Sequence, residues 1–462
     1  MTESNAEQLM DQASSLAKSY LRSLRTRRVG AAASLAQLRE SAMKPLTDTG
    51  ADAHEVLADL NALAEAGVVA SAGPRYFGFV IGGSHPVSLA ADWLVSAWDQ
   101  NPGIYATSPF GAVVEEAAAS YVLDVLRLPP EWNVGFTTGC QMANFTGLAA
   151  ARRKVLADVG WDVDAEGLHG APPINIVIGE EAHVTIHTAL RYLGLGLKHA
   201  RVVPSDGQGR MIAGGLEKTL SACTGPTIVC AQAGNVNTGA FDPLEAIAAH
   251  TRASGGWLHV DGAIGLWARA SKRHALLARG AELADSWATD AHKWLNVPYD
   301  CGIVLVRHGE AHRGAMSVRA AYLEHAAHAE RDNFEFVPDF SRRGRSIPVY
   351  ATLRHLGRSG VADLVDRSCD QARLFAKLLG SEKGVEVLND VVLNQVLVRF
   401  SDSDDVTREV VKAVQEEGTC WLGGTTWQGK GAMRLSLSNW STTDEDVVRS
   451  AKAILAAYRE HG

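Results

Sequence analysis

The chain lacks a long apolar run, a basic leader and clustered cysteines, and each absence removes a class of protein. No stretch of about eighteen apolar residues runs without a charge, so no membrane-spanning helix is predicted. The opening Met1-Thr2-Glu3-Ser4-Asn5 has no basic segment leading into an apolar one, so no secretory signal is expected. Six cysteines are spread over 462 residues without Cys-x-x-Cys spacing. That pattern suits reduced thiols in a cytoplasmic protein, not a disulfide framework or a metal site. A net charge of −8 gives no electrostatic footprint for nucleic acid. Internal repeats and low-complexity linkers are absent as well. What remains is a chain that is 46% hydrophobic, long enough to bury a large core and to form more than one domain.

The most informative stretch is Asp290-Ala291-His292-Lys293-Trp294. The residues before it, Ser286-Trp287-Ala288-Thr289, read as a short buried strand, and Asn296-Val297-Pro298-Tyr299 breaks the element after it. Lys293 therefore stands at a strand end, where desolvation is expected to lower the amine pKa and free it for Schiff-base formation. Upstream, Trp257-Leu258-His259-Val260-Asp261-Gly262 reads as a second strand ending in a carboxylate. Ligands of open α/β sheets sit beyond the carboxyl ends of the strands, so Asp261 and Lys293 are expected to share a crevice. Such a pair suits a structural ion pair, or an Asp capping the next helix. It equally suits a pyridoxal phosphate (PLP) site, in which the lysine holds the aldehyde and the carboxylate keeps the pyridine nitrogen protonated.

Two further segments bear on that choice. Thr137-Thr138-Gly139-Cys140-Gln141-Met142-Ala143-Asn144 is a glycine-containing turn opening onto a helix, where backbone N–H groups suit a phosphate. Ile174-Asn175-Ile176-Val177-Ile178 reads as a strand that leads to His183 and then a helix from Thr185 to Tyr192. A histidine at a third strand end is placed to stack on a cofactor ring, or is an ordinary loop residue.

In that order these segments resemble the group II PLP-dependent amino-acid decarboxylases, a branch of the fold-type I PLP enzymes that includes aromatic-amino-acid, tyrosine, glutamate and diaminobutyrate decarboxylases. The likeness runs from about Arg75 to Thr443. It implies PLP as cofactor, with Lys293 as the Schiff-base lysine and His292 near the phosphate. It implies Asp261 as the pyridinium partner, Ala263 on one ring face and His183 on the other. Gly139, Cys140 and Gln141 fall in the phosphate turn, and Ser286 falls where relatives often carry another phosphate ligand. Cys140 and Gln141 depart from the small residues common in that turn, and Gly234-Asn235-Val236-Asn237-Thr238-Gly239 departs from a Gly-Thr-Thr segment. Tyr322 matches the loop tyrosine proposed to return a proton to Cα, which with His183 favours simple decarboxylation over aldehyde-forming chemistry. Transamination and Cα–Cβ cleavage stay open as competing PLP reactions, and a non-catalytic PLP-binding protein is disfavoured because Lys293, Asp261, His183 and Tyr322 are all present. Arg434 matches an arginine that binds substrate carboxylate in some relatives, a task suited to a bidentate donor. Phe77, Phe79, Trp93 and Trp427 fall in or near the region lining the pocket, and slightly favour an aromatic substrate. A homodimer with the active site at the interface is implied too.

Organisation reads in three parts. Residues 1–73 form a helical N-terminal segment, with helices over Glu7 to Leu24, Ala31 to Ala42 and His54 to Ala66. Residues 74–345 alternate strands with helices, which predicts an α/β domain built on a mostly parallel, seven-stranded type of sheet. Its strands are placed at Ile174–Ile178, Thr227–Ala231, Trp257–Val260, Trp287–Thr289 and Gly302–Val306. Residues 346–462 form a smaller α+β part, with a helix over Val349 to Leu356 and strands within Val391–Phe400 and Met433–Ser438.

Overall fold

The computed structural model describes residues 3–317 and 330–461. Its described residues form two compact units, where divisions at 73 and 345 were expected. One comprises residues 1–81, 374–387 and 397–462, and the other 82–373 and 388–396. The smaller unit opens with helices α1 (Glu3–Ser23), α2 (Leu35–Ala42) and α3 (Ala53–Gly67). Ser34 and Gln37 close a reciprocal capping box on α2, and the Asp52 carboxylate accepts from the backbone of His54 and Glu55 to start α3.

The larger unit begins with α4 (Pro86–Trp98) and α5 (Pro109–Val125), each with proline at its first turn, where no helical N–H is lost. Then come β1 (Asn133–Thr137), α6 (Cys140–Ala157), β2 (Asn175–Gly179), β3 (Arg201–Val203), β4 (Thr227–Gln232), β5 (Trp257–Asp261), β6 (Ser286–Asp290) and β7 (Gly302–Val306). The seven strands form one sheet in the order β1-β7-β6-β5-β4-β2-β3. Strands β2 to β6 pair in parallel, and β7 runs antiparallel to both β1 and β6. Runs such as Ile-Val-Cys-Ala in β4 and Gly-Ile-Val-Leu-Val in β7 are apolar and buried at every position, as in strands covered on both faces. Helix α6 is buried along much of its length, and Gly147, Ala149, Ala150 and Ala151 let it lie close to the sheet. Leu148, Ile176, Ile178, Ile228, Val304 and Val306 belong to the core it seals.

The helix expected over Val349 to Leu356 runs on as Ser346–Gly380, with non-helical backbone at Gly357. β8 (Val385–Val387), β9 (Gln395–Phe400), β10 (Gly423–Trp427) and β11 (Lys430–Ser436) form a second sheet in the order β10-β11-β9-β8, all of it in the smaller unit but for Gln395 and Val396. Among the described residues no helix is long and apolar enough to cross a membrane.

Candidate functional site

The carboxyl ends of β4, β5 and β6 and the start of α6 surround a cavity of about 220 Å³ in the larger unit. It is lined by Gly139, Cys140, Gln141, His183, Asp261, Ala263, His292 and Lys293, so eight residues singled out in the sequence meet at one place. Thr185, Gln232, Gly234, Val236, Ile264 and Asp290 complete the lining.

Asp261 ends β5 and is 3% exposed. Its Oδ2 accepts from Asn144 Nδ2 at 3.2 Å and Thr185 Oγ1 at 3.4 Å, and its Oδ1 from the Ala263 backbone at 3.1 Å and Cys140 Sγ at 3.5 Å. Among the described residues no basic side chain pairs with it within 4 Å. His183 caps the helix Val184–Tyr192, with Nδ1 2.8 Å from Thr185 Oγ1, which ties the histidine to the shell around Asp261.

Lys293 follows β6 at the cavity wall. Its Nζ lies 2.9 Å from Asp290 Oδ2. This overturns the expectation of a depressed amine pKa. Burial does lower it, but the charges of Asp290, Cys140 and Asp261, with the hydrogen bond to Asp290, together raise it above the ordinary lysine range. Asp290 is the residue that sequence reasoning missed. It is 1% exposed, and its Oδ1 also accepts from the Cys140 backbone at 2.6 Å. His292 Nδ1 accepts from the Cys301 backbone at 3.1 Å, so the ring proton sits on Nε2, 3.4 Å from Asp290 Oδ1. The signal was available: Asp290 ends β6 as Asp261 ends the neighbouring β5.

Close backbone approach shapes the turn before α6. A Cβ on Gly302 would lie 2.3 Å from the Gly139 carbonyl carbon, and one on Gly82 only 1.7 Å from the Lys293 carbonyl oxygen. Gly139 supplies no side-chain cap to α6, whose first N–H goes to Asp290 instead. Cys140 is buried, and that burial, followed by Asp261 and Asp290, holds its thiol pKa well above the usual range, so it stays protonated.

Other expected residues are not among those that line the cavity. Ser286 begins β6, and its hydroxyl accepts from Trp257 Nε1 at 2.9 Å and lies 2.8 Å from His259 Nδ1, outside the cavity lining. Phe77, Phe79 and Arg434 belong to the smaller unit. Phe77 is buried edge-on against Phe375, while Phe79 is exposed and stacked on Trp421. Arg434 is on β11, where burial lowers its guanidinium pKa. Tyr322 lies outside the described residues.

A family model described as the pyridoxal-dependent decarboxylase conserved domain matches residues 36–401. The aromatic-L-amino-acid decarboxylase of Bacillus atrophaeus is 26% identical over 442 residues, covering 92% of this chain and 89% of that one. The L-2,4-diaminobutyrate decarboxylase of Rhizobium meliloti (strain 1021) is 29% identical over 386 residues, 81% and 75% of the two chains. The crystal structure of Oryza sativa TDC with PLP and tryptamine shares the fold at a TM-score of 0.92, with 20% identity over 100% of this chain and 99% of that one. The chain therefore belongs to the group II PLP-dependent amino-acid decarboxylases, with the fold-type I α/β architecture of that family.

Proposed function

We propose that this enzyme converts an L-amino acid to its amine and CO2, with Lys293, Asp261, His183 and Tyr322 carrying the chemistry and an aromatic side chain favoured on the substrate. The observation that carries the reading is the convergence of Lys293, Asp261, His183, Ala263 and the first turn of α6 on one cavity. This donor set fits PLP. An amine faces the same space as a buried carboxylate that, among the described residues, has no basic side chain within 4 Å, and a protonated ring nitrogen would match it. Lys293 would hold the aldehyde of PLP through Nζ, and Asp261 would keep the ring nitrogen protonated. His183 and Ala263 would flank the ring, and Gly139, Cys140, Gln141 and His292 would hold the phosphate. When bound, the cofactor draws off the electrons left at Cα as CO2 departs. Tyr322 then supplies the proton that Cα needs.

The aromatic preference draws support from the apolar Val236 and Ile264 in the lining and from the likeness to the Bacillus atrophaeus enzyme. The test is to incubate the PLP-loaded enzyme with a panel of aromatic, acidic and diamino acids, assaying CO2, amine, aldehyde, peroxide and keto acid. Amine with stoichiometric CO2 supports the reaction, and the fastest substrate reads out the side chain. Keto acid formed as an acceptor is consumed overturns it, as does aldehyde formed with peroxide.

The same reading includes a homodimer in the cytoplasm. Trp93, Leu94 and Trp98 on α4 and Phe110 and Val113 on α5 are all more than a third exposed, an apolar grouping of the kind a second copy covers. Light scattering at micromolar concentration should give twice the chain mass, and a monomer would remove this part.

A further inference from the structure

His259 is completely buried on β5, two residues before Asp261. Side chains alternate along a strand, so His259 and Asp261 project from the same face of the sheet, toward α6. The register pairs His259 with Ser286 on β6. Helix α6 makes room for the imidazole at Gly147, where a Cβ would lie 2.9 Å from His259 Cε1 and 3.3 Å from Ser286 Oγ.

The hydrogen bonds around this ring have only one consistent direction. Asn144 Nδ2 lies 3.2 Å from both Asp261 Oδ2 and Thr185 Oγ1, so both amide hydrogens point that way and Asn144 Oδ1 faces His259. His259 Nε2, 2.9 Å from that oxygen, must carry a proton. Burial lowers the ring pKa to about 4, so at neutral pH His259 has one proton and Nδ1 is an acceptor. Ser286 Oγ, 2.8 Å from Nδ1, donates to it, and in turn accepts from Trp257 Nε1, which can only donate, at 2.9 Å. The hydrogens therefore run Trp257 to Ser286 to His259 to Asn144 to Asp261, every one aimed toward the carboxylate. Such aligned bonds polarise one another in a low-dielectric interior.

We propose that His259 is a positioning residue, which orients the Asn144 amide through this polarised chain so that Asp261 is presented to the cofactor as a fixed acceptor. The proposal rests on the reading of Asp261 as the partner of the ring nitrogen. Without His259, Asn144 is free to turn its oxygen toward Asp261, and an acceptor then faces the carboxylate where a donor stood. Ser286, expected at the phosphate, serves instead as the joint between two strands of the chain.

The test titrates PLP into apoenzyme and follows the absorbance of the bound cofactor, its pH midpoint and the melting temperature. His259→Phe should weaken PLP binding by about tenfold or more, the scale of one hydrogen bond to a charged group, and should shift the pH midpoint of the bound cofactor. His259→Gln places a donor near the position of Nε2 and should stay within about threefold of the parent, whereas His259→Asn, too short to reach Asn144, should not. Parent-like affinity and pH midpoint in His259→Phe would overturn the proposal, as would a fall in melting temperature alone. Should His259→Phe not fold, Ser286→Ala decides by the same two readouts: a shifted midpoint supports the chain and parent values reject it. Asp261→Asn is measured alongside. If it binds PLP with parent affinity and midpoint, the reading of Asp261 fails. If it loses both while His259→Phe keeps them, only the role of His259 fails.

Discussion

Replacing Asp290 by Asn separates two jobs that one carboxylate performs, because Asn keeps an oxygen for the Cys140 N–H and removes the charge beside Lys293. Nζ lies 2.9 Å from Asp290 Oδ2, and that side chain is 2% exposed. At an effective dielectric of about 20 the attraction is roughly 6 kcal/mol, before the opposing cost of burial. Lys293 attacks an aldehyde only as the neutral amine, and the raised pKa keeps it protonated at neutral pH. Covalent capture of PLP by the parent apoenzyme should therefore quicken as pH rises. If even a quarter of the attraction survives as net effect, Asp290→Asn moves that profile to lower pH by about one unit. The assay mixes apoenzyme with PLP across pH, follows the absorbance of the linked cofactor, fixes the linkage with borohydride and maps it to Lys293. Identical pH–rate profiles in parent and variant would refute the assignment of Asp290 as the group that holds the proton on Lys293. A fixed label on another lysine would refute Lys293 itself.

Other expectations follow from the same geometry. Gly302→Ala puts a Cβ 2.3 Å from the Gly139 carbonyl carbon, and should cost about 1–3 kcal/mol while loosening the turn before α6; unchanged melting temperature and PLP affinity would show that the turn tolerates it. His312 is buried, its Nε2 donates to the Phe336 carbonyl at 2.9 Å, and burial lowers its pKa from 6.5 to about 3. Its contribution to stability is thus present above pH 6.5 and is lost as pH falls through that window, by up to about 1.4 kcal/mol per pH unit. Asp242, raised by burial to about 6, acts in the opposite sense below that pH, so the diagnostic is a difference: His312→Asn should flatten the acid limb of a melting-temperature profile relative to the parent, and parallel limbs would reject it. Tyr322→Phe should retain the cofactor and divert product toward aldehyde; unchanged amine output would remove Tyr322 from its role.

Much of the larger unit was legible because its strands are short apolar runs bounded by turn residues. Those expected at Thr227, Trp257 and Gly302 start where β4, β5 and β7 start. β3 escaped notice because Arg201–Val203 is three residues long, with Arg201 and Val202 exposed, too short to show a period. The helix after Ser346 was cut short in the reading at Leu356, before Gly357; that glycine does break the dihedrals, but the helix resumes beyond it. Residues 1–81 group with the C-terminal segments through contacts such as Tyr76 stacked on Trp421, and no local pattern in a sequence encodes such distant pairings.

The site shows the same division between what is local and what is not. Residues at strand ends could be found because a carboxyl end is a place that a sequence marks, and Lys293, Asp261 and His183 all stand at or just past one. Ser286 and Asp290 share a face of β6, yet four residues at about 3.3 Å each put them roughly 13 Å apart along the strand. A hydroxyl at the start of β6 is therefore too far down the sheet to share a ligand with the residues at its end. The register makes this concrete: Ser286 is level with His259, Ala288 is level with Asp261, and Asp290 projects one step beyond both. Reading β6 by position along the strand, and not by residue type, assigns the carboxylate at its end to the lysine and the hydroxyl at its start to the chain that supports Asp261.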